Sequence, residues 1–284
     1  MKLAVAATLL AAALAAPQLS HAQAADLASA APPAPAGTSD QRGRALIDQM
    51  VAALGGQAWL NRKSMQSDGR GSAFFHGEPD PYIIEFHETD RFLGSGQPEA
   101  ARVGFLTSRG MIMPGKKIDV VQIWKDGKGY EVTYKGKGEL PKDQVEEYYR
   151  RRKHSLESVV RDWIKAPGVM IIAEGQAIVN GRLVDKVSVL SADNDAVIIE
   201  LDDNTHLPTR RSFQYRNAQF HDFDEDVEEY DDYHSYGGLA TPLTITRYKN
   251  GDMVSQRYLT KVAYNGPLDA NTFDQDSVTI KLKK

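Results

Sequence analysis

The residues most able to do chemistry lie in one acidic stretch, residues 221–236, which has the sequence HDFDEDVEEYDDYHSY. It holds eight carboxylates and two histidines, but no lysine or arginine. Such a composition could bind a cation, supply a general acid and base, or form a strand with polar faces. The spacing of the side chains decides among these three interpretations.

The first possibility is a calcium site. Asp222, Asp224 and Asp226 match the first, third and fifth positions of a helix–loop–helix calcium loop. That loop also requires glycine at its sixth position and a bidentate glutamate at its twelfth, where this sequence has Val227 and Tyr233. We therefore reject the motif and expect no metal or other cofactor. The alternative hypothesis is a calcium-binding or carboxylate-dependent hydrolytic module that uses residues 221–236, with Asp222, Asp224 and Asp226 as the ligands of a looser metal site.

Alternation along residues 227–236 favours a strand. Acidic and apolar side chains occur on both of its faces, a composition typical of an exposed edge strand that avoids pairing with another sheet. The two histidines, His221 and His234, have no third ligand at a spacing that would nominate a zinc site. We therefore expect an edge strand here, in a protein that is not an enzyme.

Two further clusters have simpler explanations than catalysis. Asp202, Asp203 and His206 lie in the segment LDDNTHLPTRR, where Asx and Thr side chains are typical of a tight turn. The basic cluster from Arg150 to His154 could contact anionic lipid head groups, although a solvated helix face needs no such partner. The sequence has no cysteine, no Gly-x-Ser-x-Gly elbow and no phosphate-binding loop. These features favour a binding protein over an enzyme.

Residues 1–22 predict a cleaved secretory signal peptide. Met1 and Lys2 precede a run of Ala, Leu and Val with one Thr, and small residues precede the expected cleavage site after Ala22. Residues 23–39 are rich in Ala and Pro and predict a disordered linker. Residues 40–284 are then expected to form a single domain, with no later run of ~20 apolar residues that could span a membrane. We expect an exported, periplasmic protein.

The charge of the chain argues against nucleic acid as a partner. The net charge is −4 and the isoelectric point is about 6.0. Eight of the 38 acidic residues lie in the acidic stretch, so the rest of the chain is only slightly basic, with 34 basic residues against 30. Nucleic-acid-binding domains usually have isoelectric points above about 9 and concentrate basic residues on one face.

Two helical regions and roughly ten antiparallel strands follow from periodicity. Residues 40–54 place apolar side chains three and four positions apart and end at two glycines. Residues 141–165 form an amphipathic region that a cap at Ser155 can divide into two helices. Elsewhere, turn residues recur about every 8–12 positions without βαβ alternation, which indicates an antiparallel sheet.

The clearest hairpin turns at residues 126–127, whose Asp-Gly sequence is typical of a two-residue primed turn. Pairing outward from this turn places Ile123 opposite Tyr130 and Val121 opposite Val132, so all four share one face. The predicted fold is α+β and mainly antiparallel β, with one strongly curved sheet.

Five segments and their order resemble the LolA/LolB-like superfamily of outer-membrane lipoprotein-sorting protein relatives. They are ALGG at 53–56, WKDGKGY at 124–130, LDDNTHLPTRR at 201–211, YDDYHSYGGLATP at 230–242 and YNGPLDANTF at 264–273. The resemblance covers about residues 40–282 and implies an incomplete β-barrel covered by helices, with acyl chains held between them. It also implies a functional arginine on an early strand, for which Arg70 and Arg91 are candidates.

We therefore expect a non-enzymatic carrier or sensor that holds a hydrophobic ligand, such as a lipid or the acyl chains of a lipoprotein. An envelope protein is a possible further partner. A third hypothesis is a structural envelope protein that binds through a strand edge or the acidic stretch. The residues expected to line the hydrophobic cavity are Phe74, Ile84, Phe86, Ile123, Tyr130, Val132, Tyr148, Leu156, Val159 and Trp163.

Overall fold

Antiparallel strand pairs dominate the molecule, as the alternating pattern predicts. The structure is a computed structural model that describes residues 38–107, 117–217 and 219–280. The predicted signal peptide and most of the predicted linker, residues 1–37, lie outside the described residues. The linker was predicted to extend to residue 39, but the first helix begins at Ser39 because Thr38 caps it: the Thr38 hydroxyl accepts from the Gln41 amide.

The described residues contain fourteen strands and four α-helices, rather than roughly ten strands. The strands are β1 (Ser64–Phe75), β2 (Glu78–Pro79), β3 (Ile84–Arg91), β4 (Ala100–Thr107), β5 (Lys117–Lys125), β6 (Lys128–Thr133), β7 (Gly136–Glu139), β8 (Met170–Val179), β9 (Arg182–Leu190), β10 (Ala196–Asp202), β11 (Pro208–Arg216), β12 (Phe223–Tyr236), β13 (Leu239–Lys249) and β14 (Asp252–Tyr264). The helices are α1 (Ser39–Leu54), α2 (Gln57–Leu60), α3 (Lys142–Lys153) and α4 (Leu156–Arg161). Three 3₁₀ turns occupy Leu93–Ser95, Trp163–Lys165 and Gln275–Ser277. Short strands such as β7, which is exposed at every residue, carry no apolar alternation and so escaped prediction.

Tight turns set the strand register where the sequence predicts them. Asp126 and Gly127 both have positive φ, 51° and 75°, and the β5–β6 pairing places Ile123 opposite Tyr130. Asn180-Gly181 between β8 and β9 has the same conformation, with φ of 52° and 76°. Asparagine, aspartate and glycine tolerate this left-handed region, which explains why these dipeptides mark the hairpins.

The order of strands in the sheet is β7-β6-β5-β4-β3-β1-β14-β13-β12-β11-β10-β9-β8, with β2 paired to β1 alone. The sheet is therefore two meanders joined where β1 pairs with β14. The two strands at the ends of this order, β7 and β8, are connected in sequence by α3 and α4. Because the sheet is curved and unclosed, this connection carries the helices across from one edge to the other.

Apolar packing covers the sheet in separate places. The largest cluster joins α1, α2 and α4 to the β8–β11 half of the sheet, with Ile47, Trp59, Val159 and Trp163 among its buried members. A second cluster lies on the opposite face of β4–β6 beneath the C-terminal segment that carries Phe273. Between α3 and the β3–β5 side, a smaller cluster of Ala101, Trp124 and Leu140 leaves space unfilled.

Candidate ligand-binding cavity

A cavity of about 400 Å³ lies against the concave face of the sheet beneath α3. Its size falls within the range of about 300–1,000 Å³ that is typical of small-molecule sites. Strands β1, β3, β4, β5, β13 and β14 supply the apolar part of its wall. These apolar side chains include Phe86, Phe92, Val103, Phe105, Trp124 and Leu259.

The helix α3 covers the cavity through one aromatic contact and several ion pairs. The Tyr148 ring stacks on the Trp124 indole with the centroids 4.2 Å apart and the planes 10° from parallel. The Tyr149 hydroxyl donates to the Lys128 carbonyl at 3.0 Å. No residue of α3 is fully buried, so the helix lies on the structure rather than within its core.

Charged side chains form one wall of the cavity, on β11, β12, β13 and α3. Glu228 accepts from Arg211 at 2.9 Å and from the Tyr230 hydroxyl at 2.9 Å. The guanidinium groups of Arg151 and Arg247 lie 3.9 and 4.0 Å from the same carboxylate. Although burial opposes ionisation, Arg211, Arg151, Arg247 and the tyrosine hydroxyl lower the pKa of Glu228 from its ordinary 4.5 to about 2. Glu228 is therefore ionised at neutral pH.

A second charged wall faces the cavity from β3, β14 and α3. Arg257 on β14 pairs with Glu88, and Arg152 on α3 pairs with Glu99 just before β4. Asp90 also lines the cavity on this side. Burial, reinforced by the charge of Glu88, raises the pKa of Asp90 well above its ordinary value, although Arg152 and Arg257 oppose the rise.

The acidic stretch forms strand β12, which lies between β11 and β13, so the predicted edge strand is wrong for the first half of the strand. Residues 223–229 pair with β11 and residues 226–236 pair with β13, which leaves residues 230–236 paired on one side only. Its acids are accommodated because arginines on the flanking strands face them: Arg211 binds Glu228, and Arg247 binds Asp226 at 3.0 Å. The pairing partners come from other strands, so the composition of β12 alone resembles that of an exposed strand.

The cluster from Arg150 to His154 is not a solvated helix face either. Arg150 lies over the Tyr215 ring, 3.9 Å from its centroid. His154 is only 3% exposed, stacks on Phe213 at 4.0 Å, and places its Nε2 atom 2.8 Å from Asp195 Oδ1. Arg150 and His154 therefore pack against β11 and the turn before β10, whereas Arg151 and Arg152 line the cavity and Lys153 remains largely exposed.

The three aspartates considered for calcium have separate partners. Asp222 precedes β12 and accepts from the Phe223 amide at 2.8 Å. Asp224 accepts from the side-chain amides of Asn217 and Asn250, at 2.9 and 3.0 Å. Asp226 pairs with an arginine, as described above. In the residues that the structure describes, no group of three or more His, Asp or Glu side chains is arranged to hold a metal ion.

The segment LDDNTHLPTRR forms the predicted turn between β10 and β11. One carboxylate oxygen of Asp202 accepts from the amides of Asn204 and Thr205, at 3.1 and 2.8 Å, and from the Thr205 hydroxyl at 3.0 Å. His206 has φ of 56°, and its amide donates to the Asp202 carbonyl. These side chains satisfy turn backbone, as Asx turns do.

The ten residues expected to line the cavity occupy different parts of the molecule. Phe86 and Tyr148 line the cavity. The remaining eight lie elsewhere. Three pack under the C-terminal segment (Ile123, Tyr130 and Val132), and three belong to the cluster around α1 (Leu156, Val159 and Trp163). The last two lie near the connection from β1 to β3, where Phe74 is half-buried and Ile84 is exposed.

Neither candidate for an early-strand arginine lines the cavity. Arg70 is 61% exposed and lies 3.4 Å from Glu85, and Arg91 donates to the Pro98 carbonyl and the Gln97 side chain. The charged side chains that do face the cavity were not predicted from the sequence. The available signal was the occurrence of acids at alternate positions of one strand and an arginine on a strand near it, as with Glu88 and Asp90 on β3 and Arg257 on β14, the two strands that flank β1.

Comparison with known structures identifies the fold class. A DUF1329 family protein from Desulfovibrio piger is 11% identical, with a TM-score of 0.56 over 86% of this chain and 100% of that one. A domain from Vibrio parahaemolyticus whose name refers to outer membrane lipoprotein sorting is 9% identical, with a TM-score of 0.52 over 84% of this chain and 98% of that one. A LolA superfamily protein from Nitrosomonas europaea is 10% identical, with a TM-score of 0.47 over 85% of this chain and 100% of that one.

The chain therefore shares the fold of the first two structures: an α+β architecture in which one curved, unclosed sheet is covered by helices. This confirms the predicted fold class and, at the level of fold, the predicted resemblance. No protein-family model matches the chain, and no curated protein sequence matches it. Among the helices that the structure describes, none is both long enough and apolar enough to cross a bilayer.

Proposed function

We propose that the protein is a non-enzymatic carrier or sensor that binds the apolar part of a lipid or acylated protein in the cavity beneath α3. The observation that carries this proposal is the cavity itself, about 400 Å³ with an aromatic and aliphatic wall under a helix that is not fully buried. A filled interior would have favoured a structural role. A depression of about 500 Å³ at β1 and β3 is less suitable, since exposed polar residues such as Arg70, His87 and Lys261 line much of it.

Apolar burial supplies sufficient energy for such binding. Covering roughly 300 Å² of acyl-chain surface at about 25 cal/mol per Å² contributes about 7 kcal/mol before the ordering of the ligand is subtracted. The wall residues Phe105, Trp124 and Leu259 provide a surface for this contact without any covalent step. Most acids of β12, including Asp224, Asp226 and Glu228, are held in ion pairs or hydrogen bonds, which is consistent with a role in binding or structure.

The proposed location is the periplasm of a bacterial cell, because residues 1–22 have the composition of a cleaved signal peptide. Residues 38–284 would then act as one domain that follows a short linker. The Vibrio parahaemolyticus domain, named for lipoprotein sorting, makes acylated peptides a ligand class worth testing beside free lipids. An envelope protein that delivers or receives the ligand is the proposed partner.

Native mass spectrometry tests the proposal. The delipidated chain is incubated with vesicles of an Escherichia coli-type lipid mixture, separated from them, and examined for bound lipid. We expect about one lipid per chain, and a loss of most binding in Val103→Trp, which adds an indole to the cavity wall. The matched control is Ile178→Trp, at a strand position that is 78% exposed. A wild-type chain that takes up no lipid would contradict the proposal.

A further inference from the structure

The side chain of Asp90 has an unusual environment within the cavity. It projects from β3, lines the cavity, and lies deep enough for burial to be the main influence on its ionisation. Among the residues that the structure describes, no hydrogen bond or ion pair joins its carboxyl group to another group. Its remaining accessible surface therefore faces the space that the ligand would fill.

The charges around Asp90 leave one carboxylate without a counterion. Three acids face this side, Glu88, Asp90 and Glu99, and two guanidinium groups face them. Arg257 pairs with Glu88, and Arg152 pairs with Glu99. An ionised Asp90 would thus have no ion pair of its own, although Arg151, Arg211 and Arg247 of the first wall line the same cavity. A ligand cation beside Asp90 would supply that ion pair.

Two aromatic rings, of Trp124 and Tyr148, share the cavity wall with this carboxyl group. Asp90 pairs with Ala101 and Ala101 pairs with Trp124, so the three residues lie in one row across β3, β4 and β5, with a small side chain between the carboxyl group and the indole. The same tyrosine stacks on Trp124, and both rings line the cavity. A carboxylate next to indole and phenol rings is the chemistry that recognises an ammonium group, through Coulomb attraction and cation–π contact.

We propose that Asp90, together with Trp124 and Tyr148, binds the ammonium group of an amphiphilic ligand whose apolar part occupies the cavity. This inference rests on the proposed carrier function and adds to it the class of head group. The ammonium supplies the positive charge that the second wall lacks. The first wall places Arg151 and Arg247 across the cavity, where an anionic group of the same head group can be accommodated.

The test compares lipids that share acyl chains and differ in head group. The delipidated full chain is incubated with vesicles of dioleoyl phosphatidylethanolamine, dioleoyl phosphatidylcholine or dioleoyl phosphatidylglycerol, each diluted in the same inert carrier lipid, and bound lipid is counted by native mass spectrometry. The first two carry an ammonium and the third does not. We expect the wild type to favour the ammonium lipids by roughly tenfold, the size of one charged hydrogen bond or cation–π contact.

The nearly isosteric variant Asp90→Asn removes the charge and should abolish that preference while phosphatidylglycerol binding persists. Asp68→Asn is the matched control, since this aspartate on β1 bonds to His87 at 2.6 Å and is not part of the cavity wall. Equal binding of the three lipids, or a preference that survives in Asp90→Asn, would overturn the head-group inference and leave the carrier function standing. Failure of the wild type to bind any of them would overturn the carrier function as well.

Discussion

Replacement of Glu228 by glutamine tests the charged wall of the cavity most directly. The change keeps the shape of the side chain and removes the negative charge that faces Arg211, Arg151 and Arg247. Three guanidinium groups would then share a buried region with fewer carboxylates. We expect Glu228→Gln to fold but to be less stable, with a penalty that depends on pH in a defined way.

The magnitude follows from the pKa of Glu228, which is 4.5 in its ordinary state and about 2 in the folded chain. A depression of this size corresponds to about 3 kcal/mol of folding stability at pH 7. Because the folded pKa is the lower one, this stability is complete above pH 4.5 and is lost as the pH falls towards 2. The linkage relation gives about 2 kcal/mol at pH 3.5. Breaking a buried ion pair usually has a similar or larger effect.

Urea denaturation of the wild type and Glu228→Gln, at pH 7 and at pH 3.5, measures this difference. The difference in the free energy of unfolding between the wild type and Glu228→Gln should fall from about 3 kcal/mol at pH 7 to about 2 kcal/mol at pH 3.5. It should vanish below the folded-state pKa of Glu228, where the wild-type carboxyl group is also uncharged. Asp231→Asn is the control, since its ion pair with Arg182 at 3.2 Å is exposed and should contribute less than about 1 kcal/mol. A difference in unfolding free energy between the wild type and Glu228→Gln that is below about 1 kcal/mol at pH 7, or that is larger at pH 3.5 than at pH 7, would refute the electrostatic account.

Two further substitutions test the local structure that positions the cavity. Gly69→Ala should destabilise the chain by about 2 kcal/mol or more in urea denaturation, because an added Cβ would lie 2.4 Å from the Phe86 ring. Gly71→Ala is the control and should have a much smaller effect, since the atom nearest to a Cβ added there is 3.5 Å away. Ser155→Ala should reduce stability by about 1 kcal/mol, since its hydroxyl caps the first turn of α4, and rescue by Ser155→Asp would separate capping from packing. Equal effects at the two glycines, or a neutral Ser155→Ala, would contradict these assignments.

Local features of the fold could be predicted because their causes are adjacent in sequence. The hairpin at Asp126-Gly127 has the expected register, since turn conformation and alternation act within about ten residues. The division of the central helical region at Ser155 was also correct: the Ser158 amide donates to its hydroxyl at 3.2 Å, and α3 and α4 flank it. The capping signal sufficed there without tertiary context.

The lining of the cavity could not be predicted in the same way. Alternation along β5 correctly places Ile123 and Trp124 on opposite faces, but it does not say which face lies inside the curved sheet. The more apolar face, with Ile123, is covered by Phe273, which lies 150 residues further along the chain. The cavity therefore lies on the more polar face, beside Gln122 and Trp124, because the C-terminal segment fills the other side.

The position of β12 within the sheet depends on long-range pairing and explains the acidic stretch. Alternation divides its acids, so that Asp226 and Glu228 point towards the cavity while Asp231 lies near Arg182 at the surface. The inward pair is stable only because Arg211 and Arg247 lie on the two neighbouring strands. The acids of β12 can therefore occupy a strand inside this sheet, because the neighbouring strands β11 and β13 supply the arginines that pair with them. Three carboxylates of β12, Asp226, Glu228 and Asp231, form ion pairs with arginines of other strands.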